Sequence, residues 1–442
     1  MGPVVDAVAS STMFPSEAGV VVVGGGIVGV ATALSLARRG VNAVVLEKGI
    51  IAGEQSSRNW GWCRQTGRDL RELPLIVESM RMWETMNVDT GRETGFRRHG
   101  ILYASKSQDK FERHQTWAEE ARARGIDTRL LSRDELRRQL PVLPDSCVGG
   151  LYTASDGRAE PQKAASAMAQ AAMDLGVNLQ QQCAVRAIET ANGAVTHVVT
   201  EQGRIRTDAV VVAGGAWSRL LLKGLDTPLP QLKVLSNVVR TRPLSLPIEP
   251  CVSLGSVAFR QRLDGGWTVA TSAANIADVT PDSIRFFPKF LPAYLVERDS
   301  LKMRFGQRFI DEALRWRPGT SDRPSIYEAI RVLDPQPHRP TITRMLDNLK
   351  REIPAFGKVE VSQSWAGLID TMPDAIPVIS KVDSLRGVVV ATGFSGHGFG
   401  IAPAAGALAA DLVCGDTPIV DPSPFRLSRF SGAEKVRAQH WL

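Results

Sequence analysis

The run from Val20 to Gly40, VVVVGGGIVGVATALSLARRG, constrains this chain more than any other segment. Four valines read as a buried strand, the glycines as a tight turn, and the small-residue stretch after them as a helix. Asn42 to Glu47, NAVVLE, then supplies a second strand. Strand, glycine turn, helix and strand are the opening of a parallel sheet that binds a dinucleotide. Within GGGIVG, Gly24 permits the turn, Gly26 lets the backbone approach a pyrophosphate, and Gly29 allows the helix to pack closely on the strand. Ile27 opens the helix whose free amides and positive dipole end face the phosphates. Glu47, followed by Lys48, stands where a carboxylate accepts the ribose hydroxyls and repels a 2′-phosphate, which excludes NADP. FAD and NAD both remain compatible with this fingerprint.

A length of 442 residues is enough for two lobes around such a cofactor. The formal charge of +7 is scattered; it favours an anionic substrate and admits peripheral contact with a membrane, but no basic stripe or reading motif points to nucleic acid. Five separated cysteines, Cys63, Cys147, Cys183, Cys251 and Cys414, show no metal-ligand spacing and read as buried or half-buried thiols of a reducing, cytoplasmic compartment. The six histidines form no metal motif either. No stretch reaches the roughly 18 apolar residues that span a bilayer. Phe286 to Leu295, FFPKFLPAYL, reads as a core element of a substrate domain or as a patch facing the inner surface of a membrane.

Further along, a charged helix is expected over Gln108 to Gly125 and another from Pro161 to Gly176, bounded by proline and glycine. A hairpin is expected about Asn192-Gly193. The chain returns to the first sheet at DAVVVAGGAWS and again at GVVVATGFSGHGFG, so two domains exchange the chain several times. The expected division is a loose leader over 1–18, a dinucleotide-binding domain over 19–94, 150–228 and 359–430, a substrate domain over 95–149 and 229–358, and a C-terminal tail over 431–442. The fold class is an α/β Rossmann-like domain with an interleaved α+β domain on a mixed or antiparallel sheet.

Five segments together resemble the D-amino-acid oxidase superfamily of flavoproteins, in its glycine oxidase, sarcosine oxidase and D-amino-acid dehydrogenase branch. They are GGGIVG at Gly24, LEKG at Leu46, SSRNWGWCRQ at Ser56, AGGAWS at Ala213 and ATGFSGHGFGIAP at Ala391; WAGLIDTMPDAIPVI from Trp365 adds a sixth match. The resemblance implies FAD, with Ser56 and Ser57 beside the flavin and Ala213, Gly214 and Trp217 against the dinucleotide. Gly393, Gly396, Gly398 and Gly400 would leave room for the flat ring, and His397 would touch the flavin. The implied reaction is oxidation of an amino acid or secondary amine to the imine by hydride transfer to flavin N5, followed by hydrolysis.

Relatives of the glycine oxidase type carry an arginine after WAGL, where this chain has Ile369. The substrate carboxylate is therefore assigned to Arg64, with Arg308 and Arg304 as further candidates. Asn59, Trp60, Trp62, Trp365 and Ile369 are the expected pocket wall; Asp370 is a candidate acid or orienting group, and Asp374 is read as structural. Sarcosine oxidase relatives have a lysine that serves oxygen and a cysteine that attaches FAD. Thr268 and Trp365 stand near those positions, which implies noncovalent FAD and slightly favours a dehydrogenase that passes electrons to a quinone or an electron-transfer protein over an oxidase using oxygen. The alternatives are an NAD-dependent dehydrogenase and a flavin-binding accessory subunit.

Overall fold

The computed structural model describes residues 2–272 and 274–432. In chain order, β1 (Val20–Val23), α1 (Ile27–Ala37) and β2 (Ala43–Leu46) form the expected opening. After α2 (Leu73–Thr90) the chain crosses to a second sheet through β3 (Ile101–Ser105), β4 (Thr128–Ser132) and β5 (Gly149–Thr153). It returns by α3 (Pro161–Asp174), β6 (Asn178–Gln180), the hairpin β7 (Val185–Ala191) and β8 (Ala194–Thr200), and β9 (Val210–Val212). The second excursion contains β10 (Leu232–Thr241), β11 (Cys251–Ser253), β12 (Ala258–Gln261), β13 (Trp267–Ala270) and β14 (Asn275–Asp278). It continues with α4 (Phe287–Glu297), β15 (Leu301–Arg304), α5 (Gln307–Arg315) and β16 (Val361–Thr371). Finally β17 (Val378–Val382), β18 (Leu385–Thr392) and α6 (Gly398–Cys414) close the first domain.

The first sheet has the order β8-β18-β9-β1-β2-β6, extended beyond β8 by Arg204–Arg206, with β7 on β8 and β17 on β18. Its centre is parallel: Val22 faces Val45 on one side and Val211 on the other. These valine strands are buried on both faces, as parallel strands under helices must be. On one face α6 lies so close to α1 that a Cβ on Gly406 would come within 2.6 Å of the Ala31–Thr32 backbone, so only glycine fits there. In the hairpin, Asn192 and Gly193 both take positive φ, the turn that asparagine-glycine favours.

The second sheet runs β15-β14-β10-β13-β12-β11-β3-β5-β4 and is mixed, with β16 added antiparallel to β10. That pairing corrects two expected boundaries. Residues 361–371 register along the whole of β10, Val238 facing Trp365, and so belong to the substrate-domain sheet. Residues 150–153 do too, because β5 pairs with both β3 and β4. The expected loose leader is instead docked as extended chain: Asp6 N donates to Gln162 O at 2.9 Å and Ser11 N to Leu179 O at 2.7 Å. Residues 433–442 of the expected tail lie outside the described residues.

Candidate active site

One cavity of about 830 Å³ runs between the two sheets, from the glycine turn after β1 to α4. At its first end Gly24, Gly26 and Ile27 form the wall with Glu47, Lys48 and Ser56. Glu47 accepts from Gly25 N and Gly49 N, each at 2.7 Å, which fixes the carboxylate at the end of β2; burial pushes its pKa up, against Lys48. Ser56 Oγ takes the first free amide of α1, from Ile27 N at 2.8 Å. A Cβ on Gly26 would meet only that hydroxyl, so the cradle beside the helix N-terminus is open to a pyrophosphate. Gly29 is not in this wall; its Cβ would lie 2.0 Å from Gly24 O, and it serves the helix packing. Ser57 also faces away, buried, with its hydroxyl donated to Glu54 O.

Ala213, Gly214 and Trp217 line the middle of the cavity. Trp217 Nε1 donates to both oxygens of Glu54, at 3.1 and 3.2 Å, and Lys48 Nζ reaches the same carboxylate at 2.7 Å. Glu54 and Gln55, next to the serine pair, were passed over in the sequence. Asp370 Oδ2 accepts from Gly393 N at 2.8 Å, from Thr392 Oγ1 and from Gln231, tying β16 of one sheet to the end of β18 in the other. Its burial pushes its pKa up to about 6.

Gly396, His397 and Gly398 line the far part with Ile369, whereas the other two glycines of that motif have different work. A Cβ on Gly393 would strike Met372 at 2.4 Å, and one on Gly400 would lie 3.1 Å from the Cys63 and Trp62 backbone. Gly400 O also accepts from Ser79 and from Trp83 Nε1, both at 2.8 Å. Both therefore pack the turn and do not line the cavity.

Asn59, Trp60, Trp62 and Arg64 line the cavity as expected. Asn59 also caps the short helix Gln55–Arg58, donating to Ser56 O at 2.8 Å and accepting from Gly61 N. The Trp60 and Trp62 rings meet edge-on at 5.4 Å, and Trp62 meets Tyr103 at 5.8 Å. The Arg64 guanidinium lies 6.0 Å from the centre of the Tyr103 ring and donates to Thr66 O. Arg68, not singled out in the sequence, bridges Arg64 O and His397 O at 3.2 Å each, so one guanidinium holds the arginine loop against the glycine-histidine turn. Burial lowers its pKa to about 10.

Four of the positions singled out in the sequence lie elsewhere. Trp365 is buried behind the wall, its Nε1 given to Arg58 O at 3.1 Å. Arg308 and Arg304 are not in the wall: Arg308 pairs with Glu312 at 2.9 Å and Arg304 with Asp278 at 2.6 Å. Thr268 is likewise buried, accepting from Arg262, and neither it nor Trp365 lines the cavity. The lysine that does line the far half is Lys233, 3.1 Å from Glu312, and burial lowers its pKa. Four cysteines are buried, but Cys414 is exposed.

A dinucleotide cradle on a parallel sheet, joined by one cavity to a mixed sheet with aromatic and cationic walls, defines a two-domain redox protein of the flavin-binding class. Residues 19–412 match the family model of FAD dependent oxidoreductases, and the chain belongs to that family; its cofactor is FAD, not the NAD of the alternative reading. The sarcosine oxidase subunit beta of an Arthrobacter species is 25% identical over 93% of this chain and 90% of its own. Glycine oxidase of Geobacillus kaustophilus is 25% identical over 93% and 97%. Among solved structures, L-amino acid deaminase from Proteus myxofaciens, in complex with anthranilate, superposes with a TM-score of 0.92 at 31% identity over 97% of both chains.

Proposed function

We propose that this protein oxidises an α-amino acid or an N-substituted amino acid to the imine, which water then hydrolyses. The observation that carries the reading is Arg64 beside Trp60, Trp62 and Tyr103, in the part of the cavity bounded by Gly396–Gly398. An arginine fork binds a carboxylate, and the aromatic wall takes an apolar side chain or an N-alkyl group. Bound FAD would supply the acceptor for the two electrons of the C–H bond. Around it the chain's own groups position the reactants: Ser56 and the amides of α1 serve the pyrophosphate, and Arg68 holds the Arg64 loop to the flavin-side turn. No cysteine lines the cavity among the described residues, which supports noncovalent FAD. The activity of the deaminase and oxidase relatives supports the same substrate class.

The acceptor we infer is a quinone or an electron-transfer protein in preference to oxygen. Its support is the surface at the cavity's outer end. Phe287, Phe290, Tyr294 and Met303 line the opening, and Leu295, Val296, Phe305, Ile310 and Leu314 stand exposed around them. With Lys289, Arg298 and Lys302 interspersed, that face suits peripheral contact with an anionic membrane. No helix among the described residues is long and apolar enough to cross a membrane.

An anaerobic visible-spectrum titration with D- and L-amino acids, N-methyl amino acids and simple amines tests the reading. Bleaching by a carboxylate-bearing amine is expected, with slow recovery in air and rapid recovery with a soluble quinone. A flavin that only simple amines bleach would sink the substrate class, and fast recovery in air would sink the acceptor. Sedimentation with anionic against neutral vesicles decides the membrane contact, which requires binding to the anionic set alone.

A further inference from the structure

Beside the Arg64 loop is a buried carboxylate to which nothing above gives a task. Glu72, at the entry to α2, is fully buried, and its Oε2 lies 3.3 Å from His397 Nδ1. Both oxygens of Glu72 and Nδ1 of His397 are buried and make no hydrogen bond of regular geometry, so that the two unpaired groups face each other across this 3.3 Å. The next nearest cation is Arg68, whose Nη1 is 4.0 Å from the same oxygen and which is committed through its other nitrogens to Arg64 O and His397 O. A carboxylate sealed from water needs a donor, and of the two unpaired nitrogens that face it, His397 Nδ1 and Arg68 Nη1, the imidazole is the nearer.

We propose that Glu72 is a positioning residue that fixes His397 with its proton on Nδ1, so that Nε2 meets the cavity as a hydrogen-bond acceptor for the nitrogen of a bound amine. An ionised carboxylate only accepts, so the nitrogen facing it must donate, and in a neutral ring the other nitrogen then carries the lone pair. The 23% of the His397 side chain that stays accessible belongs to the cavity wall. Charge keeps the ring neutral. Burial, then Arg68, lowers the His397 pKa to about 4, and Arg64 adds to this against the pull of Glu72. Burial works to raise the Glu72 pKa, but His397, Arg68 and Arg64 outweigh it and hold the carboxyl below its ordinary value. Arg71 and Arg429, whose guanidiniums both reach Asp374, are the remaining cations whose charge is felt at Glu72. A charged imidazole would set a third cation beside Arg64 and Arg68 and would repel an ammonium group; the neutral acceptor binds an N–H instead.

The inference rests on the amine reading above, and the experiment separates the two. Nitrogen NMR of the histidine-labelled holoprotein, with the His397 signal assigned through His397→Gln, reads the tautomer directly. A proton on Nδ1 in the unmodified protein is expected, and a proton on Nε2 at neutral pH overturns the proposal. In Glu72→Gln, affinity for the amino-acid substrate that bleaches the flavin falls at least roughly fivefold, the worth of about one hydrogen bond. Affinity for benzoate, which has the carboxylate but no amine, stays within about twofold, and Glu72→Asp restores part of the loss. Equal losses for both ligands would make Glu72 merely structural, and so would a Glu72→Gln loss that persists in full on top of His397→Gln. If no amine reduces the flavin, the substrate reading fails while the tautomer still decides the role of Glu72.

Discussion

At the scale of single residues, Arg64 separates the functional reading from a structural one. Replacing it with lysine keeps the charge but loses the planar fork; dissociation constants for carboxylate ligands are expected to rise by roughly tenfold or more, as read by flavin difference spectra. Arg308→Ala is expected to leave those constants within about twofold, because its guanidinium lies outside the wall and is spent on Glu312 and Asp278. From the sequence Arg64 stood first and Arg308 behind it. What distinguishes them is local: Arg64 follows the Trp62–Cys63 strand directly, so it is aimed where the strand ends, whereas Arg308 lies one helical turn from a carboxylate that captures it. The same local capture hid Glu72 and Arg68, which look in the sequence like an ordinary solvated pair at the start of a helix. Only the turn before α6, more than 300 positions away, turns them into a cavity wall.

At the scale of elements, the contact between α1 and α6 couples stability to cofactor retention. Gly406→Val would drive a branched side chain into the Ala31–Thr32 backbone, and an overpacked helix interface costs about 1–3 kcal/mol or more. Because α1 starts at the phosphate cradle, the variant is expected to lose FAD on gel filtration and to melt at a lower temperature than the unmodified protein; unaltered retention would show that the two helix ends move independently. Elements with strong local signals were legible: the valine strands, the proline-started α3 and the asparagine-glycine hairpin all stand where their residues indicated. The boundaries at 150 and 359 were not, because β5 and β16 are apolar strands that would suit either sheet. Their membership is set by pairing with β3, β4 and β10, which no local pattern records.

At the scale of the whole molecule, buried charge ties the two domains together and makes stability depend on pH. Arg260 and Glu160 form a buried bidentate pair, at 2.9 and 3.1 Å, between β12 and the start of α3. Glu160→Gln leaves Arg260 without its carboxylate and Arg262 with Asp264 alone, and is expected to cost about 3–5 kcal/mol in urea unfolding. Asp156, which accepts from Gln65 N, Thr66 N and Thr66 Oγ1, holds the loop after Arg64, and burial raises its pKa from 3.8 to about 6. A raised carboxyl pKa means that the folded state binds the extra proton, so the stabilisation is complete below pH 3.8 and is lost as pH rises through about 6. Measured as a difference from Asp156→Asn, it should amount to something on the order of 2–3 kcal/mol across that window; a difference that is flat with pH would refute the assignment. By itself the sequence determined the dinucleotide cradle, because glycines, a strand-end carboxylate and a helix start act on one another within about 30 residues, and the motifs spread from Gly24 to Pro403 pointed to the family and to FAD. The tertiary structure alone decided which cations line the cavity, which glycines border it and which only pack, and how Glu72 meets His397. Those outcomes depend on strand pairing and on burial between segments hundreds of residues apart, where the low dielectric makes each pairing consequential.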